Sequence, residues 1–326
     1  MAKQIIIGVD LGGTRLRAAR LDEHLNVLAR DEVLTHAADG VDATLTRMKE
    51  LITRMLPSDG SQVMGIGVSA PGPANPNTGV VVAPPNLPGW HNVPVVKILN
   101  DHFGLPVYLG NDANVAALAE VVRGAAKGYR HAIFITVSTG IGGGIIIDGK
   151  MLLGKEGLAA EAGHVIIIAD GKVTTLEKEA AGPSLARQVR ERILAGEKSI
   201  ISELVNGELD KISGSTVGVA AKQGDAVALA VIERAGRILG LGMVSLLHLF
   251  NPEILVFGGG VSSLGDLLFN PMRAAIEQYC IDVSYWRELK IVPAALGDNV
   301  SIVGAGALVA TQGGVADVRQ VMQELG

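Results

Sequence analysis

Hydrophobic positions along this chain recur in two rhythms, and their order predicts an α/β protein. Ile5 to Val9 is an unbroken apolar run of strand length, and after Asp10, Gly12, Gly13 and Thr14 an alternation resumes at Leu16, Ala18 and Leu21. That pattern predicts a strand, a tight glycine turn and an antiparallel strand. Asn26 to Leu34 can supply a third strand. Val41, Leu45, Met48, Ile52 and Met55 recur at helical spacing, with Asp39 as the expected cap. Gln62 to Ser69 reads as an apolar strand, and Asn75 to Trp90 as a proline-rich loop of a length that is often functional. Pro94 to Phe103 predicts a short helix. Pro106 to Leu109 predicts a short strand running into Gly110-Asn111-Asp112, which opens a helix through Val122.

The opening device then repeats. His131 to Lys150 is again apolar strand, glycine turn, apolar strand: Ile133, Phe134 and Ile135 match Ile5, Ile6 and Ile7, Val137 matches Val9, Ser138 matches Asp10, Thr139 matches Leu11 and Gly140 matches Gly12. A repeat of this kind predicts a duplicated domain gripping one nucleotide between its halves. Beyond it, Gly154 to Thr175 reads as loop and short strand, Gly182 to Ala195 as a helix with Pro183 at its start, and Ile200 to Val219 as short helical pieces. Asp225 to Leu249 reads as one long apolar helix, in which Gly236, Gly240 and Gly242 predict close packing on another backbone. Glu253 to Phe257 and Lys290 to Pro293 read as strands, Leu264 to Tyr279 and Val300 to Ala310 as helices. The expected division is residues 1–115 plus 300–326 as a small N-terminal domain and 116–299 as a large C-terminal one, the final helices packing back onto the first.

Composition narrows the class. The 326 residues are 48% hydrophobic and 19% charged, enough for two cores and too apolar for disorder. A net charge of −5 with no basic cluster argues against a nucleic-acid partner. One cysteine, Cys280, can form neither an internal disulfide nor a thiolate metal cluster, which fits the cytoplasm. Asp10 arrives too early for a signal peptide. Ile238 to Phe250, the most apolar stretch, stops at Asn251-Pro252-Glu253 and is too short to span a bilayer, so no membrane partner is expected.

Three constellations carry candidate chemistry. Glycines leave backbone N–H groups open to phosphate oxygens. Asp10 would repel those oxygens unless a divalent cation lies between, and Mg²⁺ takes carboxylate, water and phosphate together. Asn111-Asp112 stands where a strand end opens a helix, the usual ligand position in α/β sheets. There Asp112 can take a proton from an attacking hydroxyl or simply cap the helix. Glu161 and His164 are separated by small residues that would let a ligand come close, and the pair suits vicinal hydroxyls. Two such residues are too few for a metal site.

In this order the motifs resemble the ROK family of sugar kinases, related open reading frames and repressors. The matching runs are Asp10-Leu11-Gly12-Gly13-Thr14, Asn111-Asp112-Ala113-Asn114, Ser138 to Gly144, Glu161-Ala162-Gly163-His164 and Asn251 to Gly260, with Asn86-Leu87-Pro88-Gly89-Trp90 similar to a sugar-contacting loop. The resemblance implies a two-domain actin-like ATPase (ribonuclease H-like) fold, with duplicated mixed-sheet domains and a cleft between. It implies an ATP-dependent hexose kinase acting on the 6-hydroxyl, with glucose the expected sugar. N-acetylmannosamine, allose and fructose are alternatives, and a non-kinase actin-like ATPase or a repressor is the rival. The acidic chain, and a first glycine turn that leaves no room ahead of it for a DNA-binding module, speak against a repressor. Asp112 would be the general base. Asn86, Asn111, Glu161, His164 and Glu177 would hold the sugar. Gly12, Gly13, Thr14, Thr139 and Gly140 would hold phosphates, and Gly258, Gly259 and Gly260 would border the adenosine. Asp10 would serve Mg²⁺ through water, and the resemblance implies a homodimer. Two departures stand out. Ser138 replaces a common glycine, and the three cysteines that join the family histidine on zinc are missing after His164. No zinc is therefore expected, and a short strand with an Asp170-Gly171 turn is expected in that loop's place.

Overall fold

The computed structural model describes residues 3–324. The chain forms two compact units. The first runs to Phe134, takes back Gly144–Ala160 and ends with the segment from Ala294; the second holds Ile135–Gly143 and Glu161–Pro293.

In the first unit the elements are β1 (Gln4–Leu11), β2 (Arg15–Asp22), β3 (Val27–Leu34), α1 (Val41–Met55), β4 (Gln62–Ala70), the small hairpin β5 (Ala74–Asn75) and β6 (Val80–Val81), α2 (Val95–Phe103), β7 (Val107–Asn111) and α3 (Asp112–Arg123). The sheet order is β3-β2-β1-β4-β7, with β1 antiparallel to β2 and parallel to β4. Ile5, Ile7, Val9 and Leu11 share one core with Leu45, Met48 and Ile52 of α1. The opposite face of β1 carries Gly8, against which the backbone of a later helix packs. Burial on both faces is why the run is continuously apolar instead of alternating. Asp39 does not cap α1. It sits in a single 3₁₀ turn, Ala37–Asp39, and Gly40 precedes the helix without a side-chain cap. The Asp39 carboxylate pairs with Arg47, whose guanidinium also donates to Thr35 O at 2.9 Å.

The chain continues through β8 (Ala132–Val137), β9 (Ile141–Ile147), β10 (Lys150–Met151), the hairpin β11 (Ile166–Ala169) and β12 (Lys172–Thr175), α4 (Leu176–Ala180), α5 (Gly182–Leu194), α6 (Ile201–Leu204), α7 (Gly214–Lys222), α8 (Ala226–Phe250), β13 (Ile254–Gly258), α9 (Asp266–Tyr279) and β14 (Lys290–Pro293). The second sheet runs β10-β9-β8-β13-β14. It repeats the first sheet strand for strand, as the matched glycine hairpins predict. The hairpin β11–β12 turns at Asp170-Gly171, as expected for the loop after His164. On α8, a Cβ at Gly236 or Gly240 would lie 2.4 or 2.6 Å from the backbone oxygens of Leu268 or Met272, so these glycines do admit α9. No helix among the described residues is long and apolar enough to cross a membrane.

The last helices, α10 (Val300–Ala310) and α11 (Val318–Glu324), belong to the first unit, and α10 covers β1 and β4. Its contact is backbone on backbone: a Cβ at Gly67 would stand 1.7 Å from Ala305 O. Because a helix carbonyl cannot move aside alone, Gly67→Ala is expected to destabilise the protein by about 3 kcal/mol or more, at the upper end of overpacking effects. Urea unfolding monitored by circular dichroism checks this, and a wild-type midpoint would show that α10 can slide.

Candidate functional site

In the first unit Asp10 lies near the end of β1. Its register neighbours are Arg17 on β2 and Ser69 on β4. Burial pushes the Asp10 carboxyl up to about 6. The Arg17 guanidinium, 3.9 Å away, and a hydrogen bond with Ser301 pull the other way, while the Asp112 carboxylate adds to the rise. A largely buried acid near a second acid is a fitting position for a divalent cation, which would neutralise both. Arg17 was readable as the residue opposite Asp10 in the hairpin. Ser301 had no local signal, being 291 residues away in sequence.

The first glycine turn is held by Gly12 N–H donating to Arg15 O (3.0 Å) and by the Thr35 hydroxyl donating to Gly12 O (2.6 Å). Asn86 reaches the same place: a Cβ on Gly13 would lie 2.7 Å from Asn86 O. Asn86 is exposed, but its neighbours Leu87 and Trp90 are each 1% exposed and anchor the loop in the core. At the end of β7, Asn111 caps α3, its Oδ1 accepting from Ala113 N–H at 3.0 Å. Asp112 is exposed in the first turn, and its Oδ1 accepts from the same N–H at 2.8 Å. The cap is thus shared, not the work of Asp112 alone. The first unit therefore brings together Asp10, Gly12, Gly13, Thr14, Asn86, Asn111 and Asp112.

The second unit gathers the other candidates around the second glycine turn. Ser138 N–H donates to Gly140 O, and Gly182 N–H to Ser138 O, both at 2.8 Å. Thr139 is exposed at the tip. Glu161 and His164 are both exposed, flanking buried Ala162 and Gly163. The small residues do not open room for a ligand, as their type suggested. A Cβ on Gly163 would lie 2.1 Å from Ile141 O, so Gly163 lets this turn pack on β9, and the flanking Glu161 and His164 are exposed. Glu177, on α4, accepts from Ile141 N–H at 2.9 Å, and its Oε2 would be 2.6 Å from a Cβ on Gly140. It therefore braces the phosphate-type turn, a contact the sequence did not suggest. Gly258 is buried at the end of β13, and Gly259 and Gly260 are exposed beyond it. Gly259, with φ +86°, lies close to Val137 of β8.

The residues fit zinc poorly. A structural zinc needs four ligands. After His164 the chain offers Val165 to Leu176 without a thiol, and Cys280 lies at the far end of α9.

The ROK family model matches residues 6–312. The chain is 33% identical to a glucokinase of Thermotoga maritima over 95% of this chain and 98% of that protein. It is 30% identical to a xylose repressor of Caldicellulosiruptor bescii, over 93% of this chain and 77% of the repressor. Among solved structures it is similar to a ROK family glucokinase from Streptomyces griseus in complex with glucose and AMPPNP, with TM-score 0.74, 33% identity, and coverage of 93% of this chain and 98% of that one.

Proposed function

Because this chain belongs to the ROK family, we propose that it is an ATP-dependent sugar kinase that phosphorylates the 6-hydroxyl of a hexose, glucose foremost. Its two mixed sheets of one strand order are those of the actin-like ATPase fold. The observation that carries the proposal is Asp112. It is an exposed carboxylate at the end of β7, beside a capping asparagine and in the same unit as Asp10 and the first glycine turn. The similarity to proteins named glucokinase supports glucose over other hexoses.

In this reading Asp112 accepts the 6-hydroxyl proton, and the freed oxygen attacks the γ-phosphorus as the bond to ADP breaks. Phosphoryl transfer asks the protein mainly for position and charge stabilisation. Asp10 would hold Mg²⁺ through water, and the ion supplies charge neutralisation on the phosphate oxygens. Backbone N–H groups at Gly12, Gly13, Thr14, Thr139 and Gly140 would take phosphate oxygens, and Gly258 to Gly260 would border the adenosine. Asn86, Asn111, Glu161, His164 and Glu177 would bind sugar hydroxyls.

A coupled assay of ADP formation over a panel of hexoses tests the proposal. Glucose-dependent turnover with Mg²⁺·ATP is expected. Turnover with only N-acetylmannosamine, allose or fructose would replace glucose as the substrate, and sugar binding without ADP formation would favour a repressor-like sensor. Glu161→Gln and His164→Ala are expected to raise the sugar KM by about 10- to 100-fold, as for loss of a charged hydrogen-bond partner, and to leave the ATP KM nearly unchanged. Equal shifts in both constants would assign these residues to the fold instead.

A further inference from the structure

The segment carrying the candidate sugar residues of the second unit has little apolar anchoring. His164 precedes the hairpin β11–β12 by two residues, and Glu177 follows it by two. Yet Ile166, Ile168 and Val173 of that hairpin are 64%, 72% and 74% exposed. Only Ile167 and the following Leu176 turn inward as buried apolar residues. Burial by itself gives so exposed a hairpin small stabilisation. The base is closed by Leu176 N–H donating to Val165 O at 3.1 Å. Something further must fix the tip and α4.

That group is Arg234. From α8 its guanidinium reaches Asp170 Oδ2 in the hairpin turn at 2.6 Å, Glu179 Oε2 on α4 at 2.9 Å and Gln188 Oε1 on α5 at 3.0 Å. The acceptors are tied to one another. Gln188 Nε2 donates to Glu179 O at 2.9 Å, and the Thr174 hydroxyl of β12 donates to Glu179 Oε1 at 3.1 Å. The site is sheltered, with the Arg234 side chain 29% and the Glu179 side chain 15% exposed. A planar fork with two terminal nitrogens can span separate acceptors in this way, and a compact ammonium spans them less well. Asp170 fixes the far end of the hairpin and Glu179 fixes the helix that carries Glu177, so one side chain sets both sides of the segment.

We propose that Arg234 is a positioning residue for sugar binding, clamping the β11–β12 turn to α4 and α5 so that His164 and Glu177 are held in their binding arrangement. This rests on the sugar-kinase reading given above. It also accounts for how a chain without the zinc ligands orders this segment. Loosening the clamp lowers the fraction of molecules with the segment in place, and apparent sugar affinity falls by that fraction. The second glycine turn is braced by Glu177 through Ile141 N–H, but it also keeps the bond internal to the turn from Ser138 N–H to Gly140 O, so ATP binding depends on the clamp less than sugar binding does.

The test compares R234A, R234K and D170A with the wild type in steady-state kinetics with glucose and Mg²⁺·ATP, and in amide hydrogen exchange of residues 165–180. R234A is expected to raise the sugar KM about tenfold, as for a competent fraction of about one tenth, with the ATP KM and kcat changing by no more than about twofold. R234K should recover part of the loss. D170A, which removes only the exposed turn partner and leaves the rest of the network, should give a smaller rise. Exchange over 165–180 should quicken in R234A and slow again when glucose is added. An unchanged sugar KM in R234A, or equal rises in the sugar and ATP constants, would overturn the inference. If the wild type forms no ADP with any hexose, the kinase reading itself fails. The clamp is then judged by exchange alone: quicker exchange in R234A supports it and unchanged exchange overturns it.

Discussion

Asp112→Asn is expected to bind glucose almost as the wild type does and to turn over about 10²- to 10⁴-fold more slowly, the range for loss of a positioned general base. The substitution is well suited to isolate the chemistry. The Asp112 side chain helps cap α3 through Oδ1, accepting from Ala113 N–H, and Asn111 accepts from the same group. Asparagine keeps an acceptor oxygen in that place, and asparagine and aspartate are comparable residues at helix starts. The helix and the sugar contacts should therefore survive while the proton acceptor is gone. Isothermal titration with glucose and single-turnover kinetics separate the two effects. Wild-type turnover under chemistry-limited conditions would remove Asp112 from the role. A parallel loss of glucose binding would mean that the carboxylate holds the sugar rather than its proton.

The second large effect is expected at Asp10, in opposite directions for activity and stability. In the folded, metal-free protein burial holds this carboxyl at about 6, against the ordinary 3.8. Between those values the folded state keeps a proton that the unfolded chain has released. Stability attributable to this group is therefore greatest below pH 4, falls as pH rises to about 6 and stays low above that. The shift corresponds to about 3 kcal/mol as an upper figure. Asp10→Asn removes the ionisation. In chelator it should be more stable than the wild type at pH 7.5 by roughly 1–3 kcal/mol, and this advantage should vanish near pH 4. With Mg²⁺·ATP and sugar the same variant should be nearly inactive, and excess Mg²⁺ should rescue it poorly, because the buried carboxylate is the anion a cation would neutralise. Urea titrations at several pH values and the dependence of rate on Mg²⁺ check the two halves. A variant with the wild-type pH dependence of stability, or with the wild-type response to Mg²⁺, would refute the corresponding half. Together the effects describe a residue whose position is unfavourable until a cation arrives, the usual trade between stability and function.

Local pattern determined much of this protein. The apolar runs at Ile5–Val9 and Ile133–Ile135, each followed by a glycine turn, were sufficient to predict two sheets built on one plan. Strand and turn signals act between residues close in sequence, and a duplicated unit repeats them. The long helix after Asp225 and the helix from Val300 were legible for the same reason. So was a short strand with the Asp170-Gly171 turn, since short turns are local chemistry, whereas the second strand of the hairpin was not. Asp112 was readable as an alternative between base and cap, because a carboxylate at a strand-to-helix junction suits both roles.

Tertiary structure decided what depends on neighbours distant in the chain. Asp39 lost the cap position to a 3₁₀ turn and took Arg47 instead. Gly163 is small because Ile141 O leaves no room for a Cβ, a constraint from another strand that residue type cannot reveal. For Glu177 the resemblance implies sugar contact, and its further contact with Ile141 N–H exists only once α4 is laid beside β9. Arg234 is the clearest case. On α8 it reads as an ordinary charge on an apolar helix, and only folding brings Asp170, Glu179 and Gln188 within reach of one guanidinium. Periodicity records which face of an element is buried, but the partner of a polar group across the fold leaves no period in the sequence.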